Sequence, residues 1–323
     1  MALYRKISVW WKGIGLVILA FLAFYGAIRL YYRLTDGFSI ENISSDFSFQ
    51  PQWQIRPLTA VELRETKTAL NQPYRYLGKG CQSYVFLSDD GKYVIKFFKY
   101  QRFRLQPWVE YFPGIDQYRK EKIEQKWNKL NVFVTSWKIA FDYLKDESGL
   151  IYVHLNKTKE LNIELTIYDK MGFRHLLNLD EMEFCIQKRA TPLEDVLKEF
   201  KMAKQNDRAE KILSKLLGMI VYEYQRGIGD NDHALLQNTG VIDGQPIHID
   251  IGQFILNNKY KQPDFYHQEL FTKTYRLRRW VKENYPQIEI FLDAQLEQII
   301  GPAFNTMQPK FHAHWEIAEE LKN

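Results

Sequence analysis

The sequence predicts an α+β fold in which a β-rich small lobe precedes a helical large lobe, behind one N-terminal transmembrane helix. Three observations predict it. An apolar run from Gly13 to Ala27 continues past Arg29 to Tyr32. Short strand patterns broken by glycine turns follow one another between Tyr74 and Phe98. Beyond Ala190, apolar residues recur at three and four residues, as on one face of a helix. These patterns divide the chain into an anchor (1–33), a linker (34–58), a small lobe (59–190) and a compact large lobe (191–323).

The hydrophobic fraction of 46% and aromatic fraction of 15% are ample for a packed core, which excludes a largely disordered chain. A net charge of +5 and a pI near 8.9 suit phosphate-bearing ligands or a membrane surface. They are too weak to indicate nucleic acid, and no nucleic-acid partner is expected. Cys81 and Cys185 stand far apart without a CxxC partner, and the seven histidines show no paired metal spacing. Neither a disulfide framework nor a structural zinc follows.

Arg5, Lys6 and Lys12 precede the apolar run, and Arg29 and Arg33 lie within and after its end. Its length reaches bilayer thickness if Arg29 snorkels, and Trp10, Trp11, Tyr31 and Tyr32 at its ends fit interfacial belts. The lipid bilayer is therefore an expected partner of a single-pass chain. The competing reading is a cleaved signal peptide, given small residues at Ala23, Gly26 and Ala27, but the run is long for a signal core.

A short helix capped by Thr59 fits 59–70, and Tyr74 to Phe98 reads as strand, glycine turn, strand, hairpin turn, strand. Asp116 opens a long amphipathic helix with Ile123, Trp127, Leu130, Val134, Trp137, Phe141 and Leu144 on one face. Strands are expected at 151–154, 165–168 and 183–188. Thr191-Pro-Leu-Glu194 reads as a capping box opening a helix, and a helix over 208–225 ends at Gly227. Further helices fit 266–285 and 293–300. Arg278 and Arg279 on the first of these fit a solvated face better than an acidic-substrate site.

Chemistry concentrates in two stretches. In the first, Gly78 and Gly80 allow backbone to approach phosphates, Ser83 offers a further donor, and Lys96 stands among Val, Ile and Phe, where an ammonium needs an anionic partner. In the second, Gly227-Ile-Gly-Asp230-Asn-Asp232-His233 leads to Asn238, and His248-Ile-Asp250-Ile-Gly252 follows. A phosphoryl-transfer site needs one carboxylate to orient the attacking hydroxyl, and an amide oxygen with a second carboxylate to hold Mg²⁺ on the nucleotide phosphates.

The order of these motifs resembles the protein-kinase-like superfamily, and the catalytic stretch is most similar to phosphoinositide 3- and 4-kinases, whose signature runs G-I-G-D-R-H-x-x-N and then H-I-D-F-G. The resemblance covers roughly 74–253 by ordered motifs. It implies a two-lobed kinase fold, ATP and Mg²⁺ as cofactors, and transfer of the γ-phosphate to a hydroxyl of a lipid, glycolipid or protein. It assigns the phosphates to Gly78, Gly80 and Lys96, the lysine's carboxylate partner to Glu124 (or Glu121), the adenine to the segment from Gln187, and the metal to Asn238 and Asp250. The departures are Ser83 in place of a third loop glycine, Ile251 in place of Phe, and His233 where the catalytic aspartate stands, five residues before Asn238. Spacing favours Asp232 as the catalytic carboxylate, while the Gly-Ile-Gly-Asp match favours Asp230. His233 is a candidate helper. The basic residues flanking the apolar run lean towards a cytoplasmic N-terminus, whereas a need for ATP places the soluble part in the cytoplasm. The alternatives are a pseudokinase that binds nucleotide or partners without turnover, and an unrelated exported envelope protein.

Overall fold

The computed structural model describes residues 2–311, with side chains described from Ile14 onwards. The side chains of Arg5, Lys6, Trp10, Trp11 and Lys12, and the last stretch of the predicted large lobe, 312–323, lie outside the described residues. Helix α1 (Ala2–Thr35) contains the apolar span Ile14–Thr35, of 22 residues and mean hydropathy 2.0, with none of its most apolar window packed inside the protein. At 1.5 Å per residue such a span is about 33 Å long, enough to cross a bilayer core of about 30 Å.

The stretch predicted as a linker is instead packed. Helix α2 (Ile40–Ile43) and the residues around it bury Phe38, Ile43 and Trp53. Phe38 meets Tyr84 and Phe86 edge-on, each at 5.3 Å between ring centres. Polar residues dominate this stretch by number, but a few large apolar side chains decide where it lies. Helix α3 (Ala60–Leu70) starts as expected, with a capping box between Thr59 and Glu62.

Three strands follow, β1 (Tyr74–Lys79), β2 (Ser83–Ser88) and β3 (Tyr93–Phe98), then helices α4 (Pro107–Tyr111), α5 (Asp116–Tyr143) and α6 (Lys145–Ser148). Strands β4 (Leu150–His154), β5 (Glu164–Tyr168), β6 (Arg174–Asn178) and β7 (Phe184–Lys188) complete a seven-stranded sheet in the order β4-β7-β3-β2-β1-β5-β6. Strand β6 is an addition to the predicted set. Strand β3 lies centrally and is buried from Val94 onwards, so Lys96, opposite Val85 and Cys185, stands in the interior. On α5, Leu130, Val134, Trp137 and Phe141 are buried under the sheet, while Ile123, expected on the same face, is exposed because the first turns project beyond the core.

The remainder comprises β8 (Thr191–Pro192), α7 (Leu193–Met202), α8 (Asn206–Gln225), β9 (Ile228–Asp230), α9 (Leu235–Asn238), β10 (Thr239–Ile242), β11 (Gln245–His248), β12 (Phe254–Leu256), α10 (Pro263–Asn284) and α11 (Glu289–Ile300). Thr191 does not cap α7. Its backbone is drawn into β8 by pairing with Val241, and the helix starts one residue after Pro192 with no side-chain cap. Helices α7, α8, α10 and α11 close a second core around Leu216, Ile220, Leu270 and Leu296. Gly227, at φ 78°, ends α8 and turns the chain into β9. Asp243 and Gly244, both at positive φ, form the tight turn of the β10–β11 hairpin, the backbone twist that two-residue hairpins favour. Asp250 lies two residues beyond the end of β11, in loop.

Candidate active site

Lys96 is 7% exposed on the central strand. Its ammonium donates to the Ile249 carbonyl and lies 5.8 Å from the centre of the Trp137 ring. It forms no salt bridge among the described residues, which for a buried cation is a costly arrangement unless an anion arrives. Glu124, expected to pair with it, does not reach it. Glu124 is exposed on the projecting part of α5, and the α5 residue beside Lys96 is Trp137, about 20 Å further along the axis. Glu121 is also exposed and accepts from Gln117 instead. The helix is present where predicted, but its register brings an indole to the lysine.

The glycine loop joins β1 to β2, with Gly80 N–H donating to the Ser83 carbonyl at 3.0 Å. Two cations that sequence reasoning passed over hold it by its carbonyls: Lys99 donates to Gly80 O at 2.5 Å, and Arg102 donates to Cys81 O. Burial pushes the Lys99 ammonium down to about 8, and neighbouring Lys79 adds repulsion. At the loop tip Gln82 covers Gly252, where a Cβ would lie 2.0 Å from the Gln82 Oε1. That oxygen is buried without a hydrogen-bond partner. Gly252 therefore matters as space, occupied by the side chain of the facing loop.

The segment after α8 divides the two candidate catalytic carboxylates. Asp230, at the end of β9, accepts from the buried Lys273 of α10 at 2.7 Å through Oδ2, and from the Asp232 N–H at 3.0 Å through Oδ1. The same ammonium reaches the carbonyls of Asp230 and Asp232 at 3.2 and 3.0 Å. Both oxygens of Asp230 are thus committed to holding the loop. Asp232 is half-buried, accepts from the Ala234 N–H at 2.9 Å and from Gln253 at 3.3 Å, and has no cation in salt-bridge range among the described residues. Gly229 admits the Tyr260 ring beneath the loop, where a Cβ would lie 1.9 Å from Cζ. His233 lies against α10, with Nε2 4.0 Å from Glu269 and its ring edge-on to Phe311. Burial, then repulsion from Lys273, pushes its imidazole down to about 4, so it is neutral at pH 7.

Asn238 and Asp250 are brought together by backbone. The Asn238 carbonyl accepts from the N–H groups of Ile249 (2.8 Å) and Asp250 (3.5 Å). The Asn238 side chain is buried, and its Nδ2 has no hydrogen-bond partner. Burial raises the Asp250 carboxyl above its ordinary value; attraction to Lys96 opposes this, while Asp232 and Asp230 add to it. Amide and carboxylate oxygens are a donor set that a magnesium ion takes, and Asn238 and Asp250 are the residues here that would supply it.

Gln187, which opens the segment expected against the adenine, has its side chain committed to backbone carbonyls. It is 1% exposed and donates to the carbonyls of Ser148 (2.7 Å) and His248 (2.9 Å), tying β7 to β11. His248 is itself fixed by the buried Glu223 of α8 at 2.7 Å. Glu223, Lys273 and Gln82 carry the site's supports and were not singled out from sequence. Lys273 had a readable signal, because it occupies an interior position between Leu270 and Leu277 of an amphipathic helix.

No family model matches this chain, and no curated protein matches it. Among solved structures, the bifunctional kinase-methyltransferase WbdD aligns with TM-score 0.36 and 17% identity, over 79% of this chain and 52% of WbdD. WbdD bound to the kinase inhibitor LY294002 aligns with TM-score 0.34 and 16% identity over 76% of this chain and 50% of that one. Rv3197 of Mycobacterium tuberculosis, in complex with erythromycin, aligns with TM-score 0.27 and 12% identity over 94% of this chain and 80% of that one. The chain spans about half the length of WbdD. Alignments this loose assign no residue a role and give no support to closeness with the phosphoinositide kinases.

Proposed function

We propose that this protein is a kinase-like, two-lobed, membrane-anchored phosphotransferase that uses ATP and Mg²⁺ to phosphorylate a hydroxyl. The observation that carries this reading is a buried Lys96 facing Asp250 and Asp232, with none of the three in a salt bridge among the described residues. A magnesium–nucleotide complex brings both signs at once.

Lys96 would bind phosphate oxygens from the sheet side, with the backbone of Gly78 and Gly80 above them and Ser83 at the loop's end. Asn238 and Asp250 would hold the magnesium, which supplies neutralisation of the phosphate charge. Asp232 would accept a hydrogen bond from the acceptor hydroxyl, orient it and take its proton. Asp230 is a positioning residue, since Lys273 and the Asp232 N–H occupy its oxygens. The acceptor is a lipid, glycolipid or protein hydroxyl.

A second reading, nucleotide binding without turnover, rests on His233 standing where the family's catalytic aspartate does. One experiment separates the two. With ATP and Mg²⁺, wild type is expected to show a thermal shift that Lys96→Met and Asp250→Asn lack. Asp232→Asn is expected to keep the shift and lose ATP turnover by about 10²–10⁴-fold, the usual contribution of a general base. An unchanged shift in Lys96→Met would sink the nucleotide site, and binding without turnover in wild type would establish the second reading.

A further inference from the structure

We propose that the β5–β6 hairpin is a second membrane contact, its tip resting in the headgroup layer of an anionic phospholipid bilayer beside the end of α1. This inference concerns how the domain sits and is independent of phosphotransfer. The hairpin is joined directly to the last turn of the apolar helix: Lys170 Nζ donates to the Arg33 carbonyl and to Asp36 Oδ2, each at 3.0 Å. A cation at the carbonyl end of a helix is also favoured by the helix dipole.

The exit from α1 is fixed rather than loose. Asp36 and Gly37 both adopt positive φ, 54° and 74°, turning the chain sharply at the helix end. Asp36 then gathers Lys170, Tyr76 (3.0 Å) and Lys79 (3.3 Å), and the Gly37 carbonyl accepts from Tyr84 at 2.5 Å. Lys79 and Tyr84 flank the glycine loop, so the loop end of the sheet is held close to the point where the span ends.

The tip has the composition of a membrane-interface segment. Met171 and Phe173 are 48% and 60% exposed at a turn, where polar side chains are the rule. Its one acidic residue, Asp169, is turned inward, accepting from the N–H groups of Met171 (2.9 Å) and Phe173 (3.0 Å) and bonded to His175 at 2.8 Å. What remains outward is an apolar pair flanked by Arg174 and by Arg33 of α1. Apolar side chains with basic flanks bind at the boundary between headgroups and acyl chains, and the basic residues select anionic lipid.

The test uses the full chain in nanodiscs of phosphatidylglycerol and phosphatidylcholine that carry shallow spin-labelled lipid. A bimane fluorophore is placed by Phe173→Cys or, as a control on α7, Met202→Cys, both in a Cys81→Ser background because Cys185 is buried. Residue 173 is expected to be quenched several-fold more than 202, and less when phosphatidylglycerol is omitted. Equal quenching at 173 and 202, no quenching at 173 with α1 in the disc, or recovery of a chain lacking α1 would each overturn the proposal. ATP-dependent thermal shifts of the same samples report on the nucleotide site separately.

Discussion

Lys273 Nζ lies 2.7 Å from Asp230 Oδ2, with both side chains almost wholly withdrawn from solvent, at 2% and 6% exposure. One buried ammonium thereby fixes the loop that presents Asp232. Removing one partner leaves a buried charge uncompensated, which typically costs about 3–5 kcal/mol, whereas removing both costs far less. Lys273→Met is therefore expected to lower stability by that amount in urea denaturation, and Lys273→Met with Asp230→Asn to recover most of it. Additive losses would show that the pair does not act as one unit.

Asp250 is expected to trade stability for function. Burial raises its carboxyl pKa, so the folded state holds that proton more tightly than the unfolded chain does. Its contribution is therefore favourable at acid pH and fades as pH rises through the raised pKa, where the carboxylate ionises in a desolvated place. Asp250→Asn should raise the melting temperature of the nucleotide-free protein at pH 7, by about 2–4 °C if the gain is near 1 kcal/mol. The advantage should shrink towards acid pH. A lower melting temperature for the variant at pH 7 would refute this.

His233 works in the opposite sense. Its pKa in the fold, about 4, lies below the ordinary value of 6.5, so the unfolded chain takes up the proton first as pH falls. Stability from this group is fully present above pH 6.5 and is lost progressively between 6.5 and 4. Replacing it by Gln should flatten that part of the stability–pH curve. Parallel curves for wild type and His233→Gln would contradict the neutral, buried assignment.

Two glycines of the candidate site should respond differently to a methyl group. Gly229→Ala collides with the Tyr260 ring, which is itself fixed against Tyr224 at 5.1 Å, so overpacking should cost at least about 1–3 kcal/mol. Gly252→Ala meets only the far end of Gln82, which can swing aside. Its cost in urea denaturation should be much smaller. Equal losses would mean that the glycine loop is as rigid as the tyrosine stack.

Local sequence was enough for several elements around the candidate site. Glycine turns set off the three strands that seat Lys96, and the Thr59 cap starts α3, because each signal acts over a few residues. The apolar span of α1 was legible for the same reason. Long-range packing decided the rest. The register of α5 put Trp137 rather than Glu124 beside Lys96, and packing under the sheet drew Phe38 and Trp53 out of a polar stretch. What distinguishes Asp230 from Asp232 is Lys273, some forty residues later in the chain, whose single ammonium binds the Asp230 carboxylate but only the backbone carbonyl of Asp232. Spacing along a sequence says which residues stand close in the chain; which charge is already neutralised depends on what folds back against it.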